Sequence, residues 1–430
     1  MRILMSAFAC GPNKGSEPGV GWSWAIEAGR QGHTVTVLTQ TYQRDIIEQR
    51  IAQGKVPENV EFEFFMPSWL EGLRRLGLRF GPEGPAWLAV HFLWQVAAYV
   101  HLRGRKLSGR YDIIHHITYG GIRHPTLLGF LDVPLVLGPL GGGERAPMAL
   151  RKSLSWRAWF AELVRDLHTW FLRFDPITRM ACRNAIAVYT KTGESARALP
   201  APKGRAVQVH PEIGTAKPPV EPRAQRALNE PLRLIYVGRF ISWKGMAIGL
   251  RAVAEARSRG VDVRLTMVGA GPDEANWKRL ASRLGLQDAV TWKGYVPHEE
   301  LARIYRSHDA LLFPSLHDSS GNVILEAFVE ALPVICLRLG GPAVLVTRTS
   351  GRLVDVDGRS EQAVVSGLAD AMGEMAVDPS FIRKLSLGAT QRARRFDWSD
   401  VVRGLYADVE HRLAERRVAR HLRDHKVARA

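Results

Sequence analysis

Residues 311–335 read LLFPSLHDSSGNVILEAFVEALPVI. An apolar run of strand length ends at Pro314, and a polar loop leads to a tight turn at Gly321. A helix then opens at Asn322–Val323, and a second apolar run closes the stretch. Two acids, Asp318 and Glu326, bracket seven residues. One lies in the loop and the other one turn inside the helix, so both can face the same pocket. The backbone N–H groups of Ser320, Gly321, Asn322 and Val323 sit at the helix N-terminus, where unpaired donors and the helix dipole favour an anion. Carboxylates for hydroxyls beside amides for phosphate are the chemistry that a sugar nucleotide needs.

Outward from this stretch the same alternation continues in both directions. On the C-terminal side of a proline-rich, poorly periodic segment near Pro200–Pro231, strand-like runs LRLIYVG, VRLTMVG, AVTWKGYV, ALLFPSL and LPVICLR alternate with helices expected over 246–259, 274–284, 298–307 and 322–331. On its N-terminal side, MRILMSAF, HTVTVLTQ, VEFEFFM, YDIIHHI and VPLVLGPL read as strands, with helices filling most of the gaps. Two successive βαβ series joined by a linker predict two parallel-sheet α/β domains facing one another across a cleft. Ligands of such sheets bind beyond the carboxyl ends of the strands.

Composition bounds the rest. A chain of 430 residues is long enough for two full cores. Its start, MRILMSAFACGP, reads as an opening strand and not as a signal peptide. Cys10, Cys182 and Cys336 are odd in number and far apart, which argues against a disulfide framework or a zinc cluster and fits a reducing cytoplasm. The formal charge of +17 calls for a nucleic acid, an anionic membrane or an acidic substrate. Part of it is a basic tail, Arg412, Arg416, Arg417, Arg420, Arg423, Lys426 and Arg429, expected to fray after about residue 415.

Behind LRLIYVG stand Arg239 and Lys244, in GRFISWKG; two cations after one strand suit a diphosphate leaving group without a metal. Together, GRF…WKG, VGAGP, KGYVPHEEL and the D-x7-E string running into EAFVEALPVI resemble the retaining GT-B glycosyltransferases of family 4. The likeness covers most of residues 1–400 and is strongest over 232–354. It implies two Rossmann-like domains: residues 1–205 on the acceptor side and 206–395 binding the nucleotide sugar. A helix over 396–415 would cross back to the first domain, with the basic tail at 416–430. It implies that Arg239 and Lys244 grip the donor pyrophosphate, that Glu326 holds the ribose, and that Asp318 meets the transferred sugar. Gly321, Asn322 and Val323 would bind phosphate through their amides, and the backbone of Val296 would wall the base. The expected partners are a nucleotide-sugar donor and a saccharide or lipid-linked acceptor, with no metal, cofactor or nucleic acid. The expected reaction keeps the anomeric configuration, as front-face substitution does.

This chain departs from the family pattern in places. The first acid is Asp318 where the family usually has Glu. Ala331 stands where a glycine ends the helix, and a left-handed cap there costs about 1 kcal/mol more than with Gly. Val344 replaces an acid after GGP, and no histidine ends the strand at VLGPLGGGE near Leu140.

In the N-terminal half, KGSEPGVGW resembles the family's glycine-rich loop. Ser16 is expected to cap its helix, Pro18 to suit the first turn, and Gly15 and Gly19 to allow close backbone approach to the donor phosphates. In DIIHHITYGGIRH (112–124), His115 and His116 must point to opposite faces of a strand, so at most one sees the cleft. His116 and Arg123 are the acceptor-side candidates. Asp355–Val356–Asp357 is the only D-x-D string and reads as a turn.

Two amphipathic stretches remain. PAWLAVHFLWQVAAYVHLRGRK (85–106) is apolar over too short a run to span a bilayer. SLSWRAWFAELVRDLHTWFLRF (153–174) gathers Trp156, Trp159, Phe160, Leu163, Leu167, Trp170, Phe171 and Phe174 on one helical stripe, near Arg157, Arg165 and Arg173. That stripe suits either a membrane interface or a core face. In the first case the acceptor is lipid-linked, and the protein sits on the inner face of the plasma membrane. A nucleic-acid-binding protein would explain the charge but has no recognised motif here. A dinucleotide-dependent oxidoreductase would share the sheets, yet VGAGPDEA lacks the third glycine of its fingerprint.

Overall fold

The computed structural model describes residues 1–12, 15–78, 85–124, 126–200, 207–223 and 230–427. Within them the chain forms two compact units that are not contiguous in sequence. The first comprises Met1–Gly143, His168–Ile213 and Trp398–Ala430, and the second comprises Glu144–Leu167 and Gly214–Asp397.

In the first unit, strands β1 (Arg2–Ser6), β2 (Thr34–Thr39), β3 (Val60–Phe64), β4 (Ile113–His116), β5 (Leu135–Leu140), β6 (Ala185–Thr190) and β7 (Gln208–Val209) form one sheet. Their order is β3-β2-β1-β4-β5-β6-β7, and every pairing is parallel. In the second unit, β8 (Leu232–Val237), β9 (Val263–Val268), β10 (Val290–Gly294), β11 (Ala310–Phe313), β12 (Val334–Leu337) and β13 (Gly351–Val354) lie in the order β10-β9-β8-β11-β12-β13, again all parallel. Both sheets carry helices on their two faces, which explains why the central strands are apolar throughout instead of alternating. The order reverses between β1 and β4 and between β8 and β11, and such switch points open a crevice at the strand ends.

The four helices expected in the second unit form as Met246–Ser258, Glu274–Arg283, His298–Arg306 and Asn322–Val329. The helix Glu361–Val377 buries Val364, Val365, Leu368, Met372 and Met375, a stripe of helical period against the sheet. β6 and β7 were not singled out in the sequence: AIAVYT runs on directly from a helix that ends at Asn184, and β7 is only two residues long.

The apolar stretch at 85–106 forms the helix Pro85–Arg103, which buries Val90, Trp94, Ala98 and Leu102 at intervals of four in the first unit's core. Among the described residues no helix is long and apolar enough to cross a membrane. The last helix, Trp398–Val427, continues well past residue 415, where fraying was expected. An i,i+4 ion pair between Arg412 and Asp408 (2.7 Å) supports it, and Arg417 reaches Asp112 at 3.6 Å.

Candidate active site

Two loops leave the carboxyl ends of the adjacent strands β8 and β11, and glycine holds them together. Gly245 has φ +71°, and a Cβ built on it would lie 1.9 Å from the carbonyl oxygen of Pro314. The amide of Leu316 donates to the carbonyl of Trp243 at 2.9 Å, which zips the loops side by side. Gly245→Ala adds left-handed strain to a clash with backbone that cannot swing away. It is expected to destabilise the protein by about 2–5 kcal/mol, measured by urea unfolding.

This zip brings Lys244 onto Asp318. Nζ lies 2.5 Å from Oδ2, and both side chains are largely buried. The ammonium also sits 4.4 Å from the ring centroid of Trp243 and 5.1 Å from that of Phe313. The other carboxylate oxygen of Asp318 accepts from the amides of Ser320 (3.4 Å) and Gly321 (3.2 Å), which turns the chain into the next helix. Gly321, at φ +74°, is the N-cap, and Asn322 and Val323 open the helix Asn322–Val329 with their side chains half-exposed. From behind, Gly340 and Gly341 let a second backbone press on the loop. A Cβ on Gly340 would stand 2.3 Å from the Asp318 carbonyl, which instead accepts from the Gly341 amide at 2.6 Å. Asp318 is therefore held through its backbone, its carboxylate and its neighbour's cation. The shorter acid is seated by a loop drawn in close.

Glu326 lies one turn inside that helix and accepts from the Tyr305 hydroxyl at 3.2 Å. Burial pushes its carboxyl above the ordinary glutamate range, and the nearby His298, the Tyr305 hydrogen bond and Lys217 only partly offset this. Arg239 follows β8 and is exposed, with its carbonyl taking a hydrogen bond from Tyr236 at 2.9 Å. Val296 stands half-exposed just past β10. The VGAG turn works by close approach: a Cβ on Gly269 would sit 2.0 Å from the Gly238 carbonyl. Ser242 donates to Asp273 at 2.7 Å across the same turn. Ala331 does adopt the left-handed conformation, φ +54°. Its carbonyl accepts from Ser386 (2.7 Å) and Arg223 (3.2 Å), which hold the strained cap in place.

Sequence reasoning missed three neighbours of this site. His317 stacks on Trp243 with centroids 4.6 Å apart, and its Nε2 lies 2.7 Å from Glu162 Oε1. Both His317 and Glu162 are buried. Tyr305 is the third. His317 is adjacent to Asp318, so adjacency to a motif residue was its available signal, whereas Glu162 and Tyr305 lie apart from the motif residues in sequence.

The remaining candidates belong to the first unit. Gly15, not Ser16, occupies the N-cap of the helix Ser16–Arg30, and no side chain caps it. Ser16 is the first helical residue, at φ +58°, so the expected serine cap is absent. A Cβ on Gly15 would meet no protein atom within 4 Å, so the backbone there stands clear. Gly21 serves the packing of the helix instead: a Cβ there would stand 2.3 Å from the Ala9 carbonyl. Gly19 lies half-buried within the helix. The loop's acid is Glu17. It accepts from the Tyr119 amide at 2.7 Å, and the buried Lys191 lies 3.7 Å from it and 2.5 Å from Glu212.

His115 and His116 are both fully buried. His115 is a core histidine, bonded to the Tyr406 hydroxyl (2.8 Å) and the Gly138 carbonyl (2.7 Å). His116 lines a small, partly open pocket of about 20 Å³ with His124, Thr126 and Thr178, which is room for a water and not for a sugar. Burial lowers its pKa to about 3, so it stays neutral. As an acceptor-facing group it is misplaced by its depth. Arg123 donates to Thr169 at 3.0 Å and remains half-exposed. Among the described residues no group of three His, Cys, Asp or Glu is placed to hold a metal ion. Asp355 pairs with Arg338 and Asp357 enters a turn, as expected for that string.

The family model of glycosyl transferases group 1 matches residues 231–375. A D-inositol 3-phosphate glycosyltransferase from Acidothermus cellulolyticus is 32% identical over 407 residues, covering 90% of this chain and 84% of that protein. The chain belongs to the family 4 glycosyltransferases. The transferase is also 28% identical over 216 residues to a 2-deoxystreptamine glucosyltransferase from Streptomyces kanamyceticus, over 47% of this chain and 54% of the relative. Its fold is GT-B. Anabaena HepE, solved in complex with UDP, superposes on it with a TM-score of 0.58 and 18% identity, over 96% of this chain and all of that one. Sucrose-phosphate synthase from Thermosynechococcus elongatus does so at 0.57 and 19%, with the same coverage.

Proposed function

We propose that this glycosyltransferase moves a hexosyl group from a UDP-sugar onto a saccharide or lipid-linked saccharide with retention of configuration, in the synthesis of a cell-surface polysaccharide or glycolipid. The observation that carries the reading is the Lys244–Asp318 pair beside the Gly321 turn. It sets a cation for phosphate, a carboxylate for sugar hydroxyls and a helix N-terminus side by side on two zipped loops. Lys244, Arg239 and the amides of Asn322 and Val323 would neutralise the diphosphate as the bond from the anomeric carbon to phosphate oxygen breaks, with Gly321, whose own amide is bonded to Asp318, setting the turn that presents them. The acceptor oxygen bonds to that carbon on the same face and passes its proton to the departing phosphate oxygen. Asp318 orients the sugar, Glu326 the ribose, and the Val296 backbone the base. The protein then acts by positioning and charge neutralisation, and no metal is required. Uracil is chosen because the fold neighbour HepE was solved with UDP. A lipid-linked acceptor would place the work at the inner face of the plasma membrane.

Calorimetric titration with UDP, GDP, ADP and TDP, each with and without EDTA, tests this. Micromolar binding of UDP, unchanged by EDTA, is expected. Failure of all four to bind would remove the donor reading, and loss of binding in EDTA would remove the metal-free grip.

A further inference from the structure

The helix Trp156–Phe171 is amphipathic the wrong way round for a soluble protein. At about 100° per residue, Trp156, Phe160, Leu163, Leu167, Trp170 and Phe171 share one face, and all six are exposed, Trp156 to 75% and Phe160 to 57%. The inward face is polar. Glu162 meets His317 at 2.7 Å, Asp166 takes bonds from Arg145 and Arg151 at 2.7 Å each, and Arg165 donates to the Glu144 carbonyl at 3.2 Å. Ion pairs from Asp166 and polar contacts from Glu162 and Arg165 thus fix the helix in place and leave its apolar stripe outward, a contiguous patch of the kind that marks an interaction surface.

Chemistry at the patch selects the partner. Two of its tryptophans carry stacked guanidinium groups, Arg157 5.3 Å from the Trp156 ring and Arg173 5.8 Å from the Trp170 ring. Tryptophan and arginine on the rim of an apolar helix face match the headgroup region of a bilayer. The net charge of +17 favours an anionic one. A second copy fits poorly, because pairing two such faces would bring arginine rims and like net charges together. We propose that this face seats the protein on an anionic lipid surface. The proposal rests on the lipid-linked acceptor reading above and gives it geometry. Glu162 on the helix's inner side touches the residue next to Asp318, so the headgroups would lie about one helix diameter, roughly 10 Å, from the sugar-binding loop.

The test is co-sedimentation of the full chain with vesicles of equal phosphatidylglycerol and phosphatidylethanolamine, compared with pure phosphatidylcholine. Wild type should bind the anionic vesicles at least tenfold more tightly. Phe160→Glu with Leu167→Glu, both at exposed positions, should reduce that binding at least tenfold while UDP calorimetry and circular dichroism stay unchanged. Arg157→Gln with Arg173→Gln should weaken it about tenfold with the apolar face intact. Absence of vesicle binding, or equal binding by wild type and the double glutamate variant, overturns the proposal. So does a concentration-dependent dimer abolished by the same variant, which would assign the face to a second copy. Vesicle binding without UDP binding would keep this surface and remove the donor reading, and UDP binding without vesicle binding would do the reverse.

Discussion

Lys244→Ala is expected to lower kcat/KM about 10²–10³-fold while leaving the fold intact. The ammonium is the cation set against Asp318 at 2.5 Å, where a leaving diphosphate would gather charge. Loss of one such preorganised group typically removes about 3–4 kcal/mol of transition-state stabilisation. Truncation also leaves Asp318, largely buried, without its counter-charge, so the carboxylate is held only by the Ser320 and Gly321 amides. Lys244→Arg should recover little. The ammonium is wedged between the Trp243 and Phe313 rings, and a planar fork cannot take its place. Steady-state transfer assays with a UDP-sugar, alongside thermal melts, decide the matter. Near-normal turnover in Lys244→Ala would remove the lysine from the site.

Glu326→Gln is expected to lower transfer about 10²-fold and, at pH 7, to raise the melting temperature. The two effects have one cause. The carboxyl sits among protein atoms that raise its pKa above the unfolded value, so keeping it ionised in the folded state works against folding. Above the folded-state pKa that penalty is fully present, and the neutral amide removes it while still accepting from Tyr305. Below the unfolded value, near 4.5, glutamate is protonated in both states and the two proteins should melt alike. Melting curves at pH 7 and pH 4 read the stability half. Equal melting at pH 7 would contradict the buried-charge account. Unimpaired transfer would contradict a ribose contact.

How much of this was legible in the sequence depended on whether the signal was local. The strands of both sheets other than β6, β7 and β13, the four helices of the second unit and the turn at Gly321 follow from apolar runs, turn residues and helical period, and the four helices formed within two residues of expectation. The left-handed strain at Ala331 was visible because one missing glycine marks one dihedral angle. Ser16 was misjudged because a capping serine and a serine one place inside the helix have the same local sequence. The depth of His116 was hidden for a different reason. Strand alternation says that two histidines face opposite ways, but not that both sides are covered. The stripe at 153–174 could not be assigned at all from periodicity. Which face turns inward was decided by Glu162 meeting the distant His317 and by Arg165 and Asp166 finding partners at Glu144, Arg145 and Arg151.

The last helix of the chain, Trp398–Val427, supplies Val402, Leu405, Tyr406 and Val409 to the interior of the first unit, where Tyr406 bonds His115 and packs 6.0 Å from Trp24. In chain order this helix follows the whole of the second unit. The first unit is therefore begun before the second and closed after it, with Trp24 and His115 uncovered until the helix emerges. The usual N-to-C order of domain completion is inverted, and the second unit can finish folding while the first still lacks its closing helix.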